Sequence, residues 1–158
     1  MKVLMCGRGI PSLKTPLLGR FELDQSCALV EHGVEVVHAA LDVRSARHWR
    51  RFGAASSMVD ELPIEMLDAP LGRLPRRLNR DLMARLWDRL LRQVVRRHGH
   101  PDVIHGHFLP WSAALAARRE LTDIPLVVTE HWSRLQQEID ASIDLLAADT
   151  YRCTSRTL

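Results

Sequence analysis

Five short apolar segments recur along the chain, and each ends at a glycine, a histidine or an acidic residue. Segments this short that are apolar throughout, rather than alternating, indicate β-strands buried on both faces. Loops or stretches with helical spacing separate them, so helices must cover both faces of a mainly parallel sheet. The predicted strands are 2–6, 34–41, 64–67, 102–107 and 125–129, with a sixth at 149–154.

The segments between the strands carry the spacing of helices. In the first helix, 21–32, the residues Leu23, Cys27 and Val30 share one face, which we expect to be buried. The longest predicted helix is the leucine-rich segment 78–95. Two further helices are predicted at 111–121 and 135–148. The sequence therefore predicts an α/β fold with a doubly wound parallel sheet and helices on both faces.

Size and composition fit a single globular domain over residues 1–158. Hydrophobic residues make up 46% and charged residues 26%, which excludes a disordered chain and a disulfide scaffold. Cys6, Cys27 and Cys153 are odd in number and lack CxxC spacing, so we expect free, mostly buried thiols. Because the N-terminus reaches Gly7 before a signal-peptide core forms, we expect a cytoplasmic protein.

Positive charge is concentrated in one predicted helix. The segment Arg73–Arg97 contains nine arginines and two aspartates, a net charge of +7, which leaves −4 for the rest of a chain whose formal charge is +3. Such a face is either simply solvated or binds an anionic membrane or a phosphorylated partner. Aromatic residues make up only 5%, so the sequence does not indicate nucleic-acid binding.

A glycine-rich loop follows the first predicted strand. A dinucleotide fingerprint needs GxGxxG leading directly into a helix, whereas here Ser12 follows Gly7 and Gly9 and the helix begins only near Phe21. The pattern therefore argues against NAD or FAD. Two interpretations stay open: a turn that needs glycine for its backbone angles, or a loop whose amides approach a phosphate.

Histidines stand at the ends of two neighbouring predicted strands. His105 and His107 are two residues apart on one strand, so their side chains face the same way, and His131 follows the next strand. The carboxyl ends of parallel strands meet at one edge, so we expect these histidines near the glycine loop. A metal would need further ligands, and a purely structural role is the other alternative.

Four motifs in this order resemble the N-terminal half of GT-B glycosyltransferases of the family 4 (group 1) type. They are MKVLMCGRGIPS, PLLGRFELDQSCALVEHGVEVV, PDVIHGHF and IPLVVTEHWS. In that family two Rossmann-like domains face each other across a cleft. The N-terminal domain holds the acceptor and the C-terminal domain holds the nucleotide sugar, so the resemblance implies a Rossmann-like acceptor-side half that lacks its donor-binding domain.

The resemblance also assigns residues. The loop with Gly7, Gly9 and Gly19 matches the loop that approaches the donor phosphates and the acceptor, with Arg8 as a phosphate contact. His107 matches an active-site histidine beside the transferred sugar. The implied catalytic residues are His107 and His131, and the implied substrate-binding residues are Gly7, Arg8, Gly9, Gly19, His105 and Glu130.

The function implied is retaining transfer of a sugar from a nucleotide-diphosphate sugar to a cell-envelope, polysaccharide or lipid-linked acceptor. No metal or other cofactor is implied, the 158-residue chain alone is expected to be inactive, and Arg73–Arg97 is expected to meet the inner face of the plasma membrane. One alternative is a non-enzymatic α/β module that binds a phosphorylated ligand or an anionic membrane through this helix. The other is a metal-dependent hydrolase using His105, His107 and His131.

Overall fold

The computed structural model describes residues 1–43, 52–71, 76–108, 115, 123–130 and 150–153. The elements, in chain order, are β1 Lys2–Gly7, α1 Arg20–Glu31, β2 Glu35–Asp42, β3 Gly53–Val59, β4 Leu62–Asp68, α2 Arg76–His98, β5 Val103–His107, β6 Leu126–Glu130 and β7 Thr150–Cys153. All six predicted strands are present. The predicted helix 135–148 lies outside the described residues, as does all of the helix 111–121 except Leu115.

One seven-stranded sheet, in the order β3-β4-β2-β1-β5-β6-β7, forms the centre of the domain. The five pairings from β4 to β7 are parallel. Helix α1 packs on one face of the sheet and α2 on the other. This confirms the predicted doubly wound, Rossmann-like fold.

One strand was not predicted. β3 pairs antiparallel with β4, and the two form a hairpin that closes between Val59 and Leu62. The sequence of β3, GAASSMV, is small and polar, which is typical of a loop. Asp60 takes the left-handed backbone conformation of a tight turn, with φ 51°. Pairing with β4, rather than local propensity, makes this segment a strand, so the sheet is not wholly parallel.

The core follows the alternation of side chains along β1. Leu4 and Cys6 face the α2 side, where they join Trp87 and Leu90, while Val3 and Met5 face the α1 side. Trp87 is 1% exposed. Burying a side chain of this class contributes roughly 1.5–3 kcal/mol, so the seam between α2 and the sheet is a main source of stability.

The buried face of α1 differs from the prediction. Of the expected face only Leu23 is buried, while Cys27 and Val30 are half-buried. The other buried positions are Glu22 and Ser26. Ser26 can be buried because its hydroxyl donates to the Glu22 carbonyl and also bonds His38 of β2.

The structure describes the side chains of two of the three cysteines. Cys6 and Cys27 are both free, as predicted. Cys6 is buried on β1, and burial raises the pKa of its thiol far above the usual range. Cys27 is half-buried. The side chain of Cys153 lies outside the described part of the chain.

The arginines of α2 lie opposite its buried face. Arg85, Arg89 and Arg92 are exposed, whereas Met83 and Trp87 are buried, as the helical spacing predicts. The side chains of residues 73, 76, 77 and 80 are outside the described set. Within the described segments, no helix is long and apolar enough to cross a membrane.

A buried carboxylate joins the β3–β4 hairpin to the end of α2. Glu65 of β4 is 2% exposed. Its donors are Ser56 Oγ at 2.6 Å, Gln93 Nε2 at 2.6 Å, Arg97 at 3.1 Å and His98 Nε2 at 2.9 Å. Burial by itself raises the pKa of Glu65, but these hydrogen bonds outweigh it and hold the pKa at about 2.

Candidate functional site

The strand order reverses direction between β1 and β5. From β1 the chain continues to β2 on one side, and it later returns to β5 on the other. Gly7 is the last residue of β1 and His107 the last residue of β5, and the neighbouring pair Cys6 and Gly106 is in register. Ligands of open α/β sheets bind outside the strand carboxyl ends at such a switch point. The predicted glycine loop and histidine pair therefore meet there.

The loop after β1 folds back on itself through two glycines. Gly9 and Gly19 have positive φ angles of 100° and 68°. An ideal Cβ on Gly19 would lie only 2.0 Å from the carbonyl oxygen of Gly9. Gly19 is also the N-cap of α1, with no side-chain cap. Both glycines thus meet a backbone requirement, and this loop brings the N-terminus of α1 to the edge of the sheet.

Arg8 connects the ends of the two central strands. Its guanidinium carbon lies 4.0 Å from the centroid of the Phe108 ring, which follows β5 directly. Its Nε lies 3.9 Å from Oε1 of Glu22, in the first turn of α1. The side chain is 34% exposed. A cation and an aromatic ring attract each other at this distance. Arg8 is therefore a partly exposed cation at the switch point, in contact with Phe108 and near Glu22.

The two histidines of β5 stack on one another. The ring centroids of His105 and His107 are 4.7 Å apart, with 28° between the planes, as expected for two residues on one face. His105 Nε2 bonds Thr129 Oγ1 of β6 at 2.7 Å. His107 is 1% exposed, and its Nε2 lies 3.1 Å from the sulfur of Met5. A thioether sulfur is only a weak hydrogen-bond acceptor.

A buried polar cluster beside Gly7 was missed by the sequence analysis. It consists of Glu22 and Ser26 of α1 and His38 of β2, all at most 1% exposed. An ideal Cβ on Gly7 would lie 3.1 Å from Glu22 Cβ and 3.3 Å from His38 Nε2. The sequence does contain features that indicate this cluster. His38 interrupts an apolar strand, and Glu22 and Ser26 are four residues apart and so share one face of α1.

Burial decides the protonation of His38. It lowers the pKa of the imidazole from 6.5 to about 4. Nδ1 lies 2.8 Å from Ser26 Oγ, whose own proton goes to the Glu22 carbonyl. Nδ1 must therefore carry the proton and donate, which leaves Nε2 as an acceptor turned toward Gly7.

The remaining candidates are only partly described. Glu130 ends β6 through its backbone, but its side chain and all of His131 lie outside the described residues. No three His, Cys, Asp or Glu side chains are placed to hold a metal ion in the segments that the structure covers. The alternative that uses His105, His107 and His131 together stays a hypothesis.

Residues 19–157 match the model of the family described as glycosyl transferase 4-like domain. This range contains α1 and every strand from β2 to β7. The match thus covers all the predicted site residues except those of the loop before residue 19. No curated protein matches the chain.

Two solved structures share the fold. One is the catalytic domain of starch synthase IV from Arabidopsis thaliana bound to ADP and acarbose, with a TM-score of 0.54 and 14% identity over 82% of this chain and 33% of that one. The other is the α,α-trehalose 6-phosphate synthase from Burkholderia multivorans, with a TM-score of 0.57 and 16% identity over 96% and 39%. This chain therefore spans well under half the length of either structure.

Proposed function

Because the chain belongs to the family of glycosyl transferase 4-like domains, as its motif order predicts, we propose that it is the acceptor-side domain of a retaining glycosyltransferase. The donor is a nucleotide-diphosphate sugar, and the acceptor is a cell-envelope, polysaccharide or lipid-linked molecule. A second domain across the cleft binds the nucleotide. The 158-residue chain alone is then nearly inactive.

The observation that carries this proposal is the position of Arg8 between the ends of β1 and β5. In the transfer, the bond from the anomeric carbon to the diphosphate oxygen breaks, a bond from that carbon to an acceptor hydroxyl oxygen forms, and the hydroxyl proton passes to the leaving diphosphate. Negative charge grows on the leaving diphosphate. A fixed cation beside a helix N-terminus stabilises such charge. Arg8 and the backbone amides of the loop from Gly7 to Gly19 are the groups proposed for this role.

His107 is proposed to orient the sugar or the acceptor. Stacking on His105 restricts its ring, so a hydrogen bond from the imidazole has a defined direction. Holding a hydroxyl in place lowers the entropic part of the barrier. His131, Glu130 and His105 complete the proposed acceptor side, and the transfer is proposed to need no metal.

The proposal also includes a surface for the membrane. The exposed arginines of α2 and the buried apolar face behind them form a basic amphipathic helix. Arg92 is paired with Asp88 at 2.6 Å, whereas Arg85 and Arg89 have no ion-pair partner among the described residues. Free cations of this kind bind anionic lipid headgroups. The domain is proposed to sit at the cytoplasmic face of the membrane, near a lipid-linked acceptor.

The decisive experiment is His107→Ala in a protein that carries this domain together with its donor-binding domain. Sugar transfer should fall by about 100-fold, the loss expected when a reactant is no longer held in position, while circular dichroism shows the fold intact. His100→Ala, at an exposed position after α2, is the matched control and should keep full turnover. Near-normal transfer by a folded His107→Ala protein would overturn the assignment.

A further inference from the structure

Glu22 is a buried acid whose side chain is placed by the two glycine positions around it. It lies in the first turn of α1, which Gly19 begins, and it is 1% exposed. Gly7 has no side chain, which leaves room for Glu22 Cβ and Cγ at 3.1 and 3.3 Å from an ideal Cβ. The carboxylate is therefore held beside the end of β1.

This carboxylate has little to compensate its burial. Its Oε1 has no hydrogen-bond partner in the described part of the protein, and neither has Nε of Arg8. The two atoms form an ion pair at 3.9 Å, longer than a hydrogen bond. Burying a charge costs several kcal/mol unless it is well paired, and an apolar residue would serve the stability of the fold at least as well.

Two other parts of the chain contact the Arg8 guanidinium group. The central carbon of the guanidinium lies over the Phe108 ring, 4.0 Å from the ring centroid, and Oε1 of Glu22 lies 3.9 Å from its Nε. Phe108 directly follows β5 and Glu22 lies in α1, so these contacts come from parts of the chain that are separate from Arg8 itself. A planar guanidinium binds a phosphoryl group through two parallel N–H bonds, which requires its plane to be set in advance.

We propose that Glu22 is a positioning residue that orients Arg8 to bind the diphosphate of the donor. Glu22 touches no substrate; it acts by holding the Nε edge of Arg8, which leaves the terminal amino groups for the anion. This inference rests on the proposed function, in which Arg8 stabilises the leaving diphosphate.

The test is a double-mutant cycle in the two-domain enzyme. Arg8→Ala, Glu22→Gln and the double variant are compared for kcat and for the KM of the nucleotide sugar. Glu31→Gln, at the exposed end of the same helix, is the matched control and should behave as wild type. Thermal unfolding of each variant reports on any change in stability.

Arg8→Ala should lower kcat/KM for the donor by about tenfold to 100-fold, the loss of one charge-assisted contact. Glu22→Gln should lower it by roughly three- to tenfold. In the Arg8→Ala background the same Glu22→Gln change should alter kcat/KM by less than about twofold, because its effect passes through Arg8. A merely structural Glu22 would give equal losses in both backgrounds.

Three outcomes would overturn the inference. Equal losses from Glu22→Gln with and without Arg8 assign it a structural role. No loss from Glu22→Gln, together with a loss from Arg8→Ala, shows that Arg8 needs no positioning. Normal kinetics of Arg8→Ala remove Arg8 from donor binding, and the proposed transfer still stands if His107→Ala abolishes it. If both Arg8→Ala and His107→Ala leave transfer normal, the proposed function itself fails.

Discussion

The carbonyl oxygen of Gly9 occupies the space that a side chain on Gly19 would need, 2.0 Å from its ideal Cβ position. Real Cβ atoms do not approach an oxygen so closely, and the obstacle is backbone, which moves only with the whole loop. The loop between β1 and α1 is thus closed at its base by two glycines. This closure places Arg8 and the start of α1 at the same edge.

Gly19→Ala should destabilise the protein far more than Gly33→Ala. Both glycines have left-handed φ angles, 68° and 77°. An alanine at Gly33 has nothing within 4 Å of its Cβ, so its cost is the conformational one of roughly 1–2 kcal/mol. Gly19→Ala adds the clash with Gly9. Urea unfolding of the two variants gives the comparison, and equal losses would contradict the contact.

His38 should make stability depend on pH between about 6.5 and 4. The unfolded histidine takes up a proton near pH 6.5, whereas the buried one resists until about pH 4. In that window the unfolded state binds more protons, so stability is full above pH 6.5 and falls as the pH falls. The full difference is on the order of 3 kcal/mol.

Urea unfolding of wild type and His38→Gln between pH 7 and 4 measures this. The wild type should lose stability more steeply than His38→Gln, which has no titrating ring. His100→Gln, at an exposed position, controls for the loss of a histidine and should follow the wild-type curve. Parallel curves for wild type and His38→Gln would refute the assignment of this dependence to His38.

Glu65→Gln should lower the unfolding free energy by about 1–3 kcal/mol, because an amide nitrogen would then face donors that now bond a carboxylate. The pKa of Glu65 is lowered to about 2, so the stabilisation by this carboxylate also depends on pH. Its stabilisation is present above about pH 4.5 and is lost as the pH falls toward 2. Chemical denaturation at pH 7 measures the main effect. Glu61→Gln, in the exposed hairpin turn, should cost little, and a similar loss from both would count against the cluster.

Charge reversal on α2 should abolish binding to anionic vesicles. Arg85→Glu with Arg89→Glu removes two free cations from the exposed face, and co-sedimentation with phosphatidylglycerol vesicles measures the bound fraction. Lys14→Glu with Arg20→Glu changes the net charge equally at the loop and α1, and should retain most binding. Unchanged binding by the α2 variant would remove the membrane surface from the proposal.

Much of the fold was predictable because the central strands are apolar on both faces. β1 and β2 are recognisable without their neighbours, since short and mainly apolar segments favour buried strands. β3 was not, because Ser56 and Ser57 have no intrinsic strand preference and become a strand only by pairing with Glu65 and Ile64 of β4. Pairing partners are a property of the folded chain rather than of the segment.

The position of the glycine loop and of the β5 histidines at this edge of the sheet could be predicted from the sequence, but the position of the buried acid Glu22 could not. Gly19 is the N-cap of α1, His107 ends β5, and Gly9 lies in the loop that follows β1, so all three are close to the strand ends where ligands bind in such folds. The sequence around Glu22 is typical of an exposed helix turn. Glu22 is buried because Gly7 has no side chain and because α1 turns the Glu22 face, rather than the Cys27 face, toward the sheet. That rotation is decided by packing against β2, which the helical spacing of α1 does not specify.

The strand neighbours at the centre of the sheet have a consequence for how this site forms. The β3–β4 hairpin closes between residues three apart, whereas β1 meets β5 across a separation of one hundred residues, at Val3 and Val103. Strands that are close in sequence pair quickly, whereas the pairing of strands that are far apart costs more loop-closure entropy. We therefore expect the contact between Arg8 and Phe108 to form later than the β3–β4 hairpin. We expect the contact between Arg8 and Phe108 to report on the assembly of β1 with β5, and a species without this pairing would lack the edge that is proposed to bind the diphosphate.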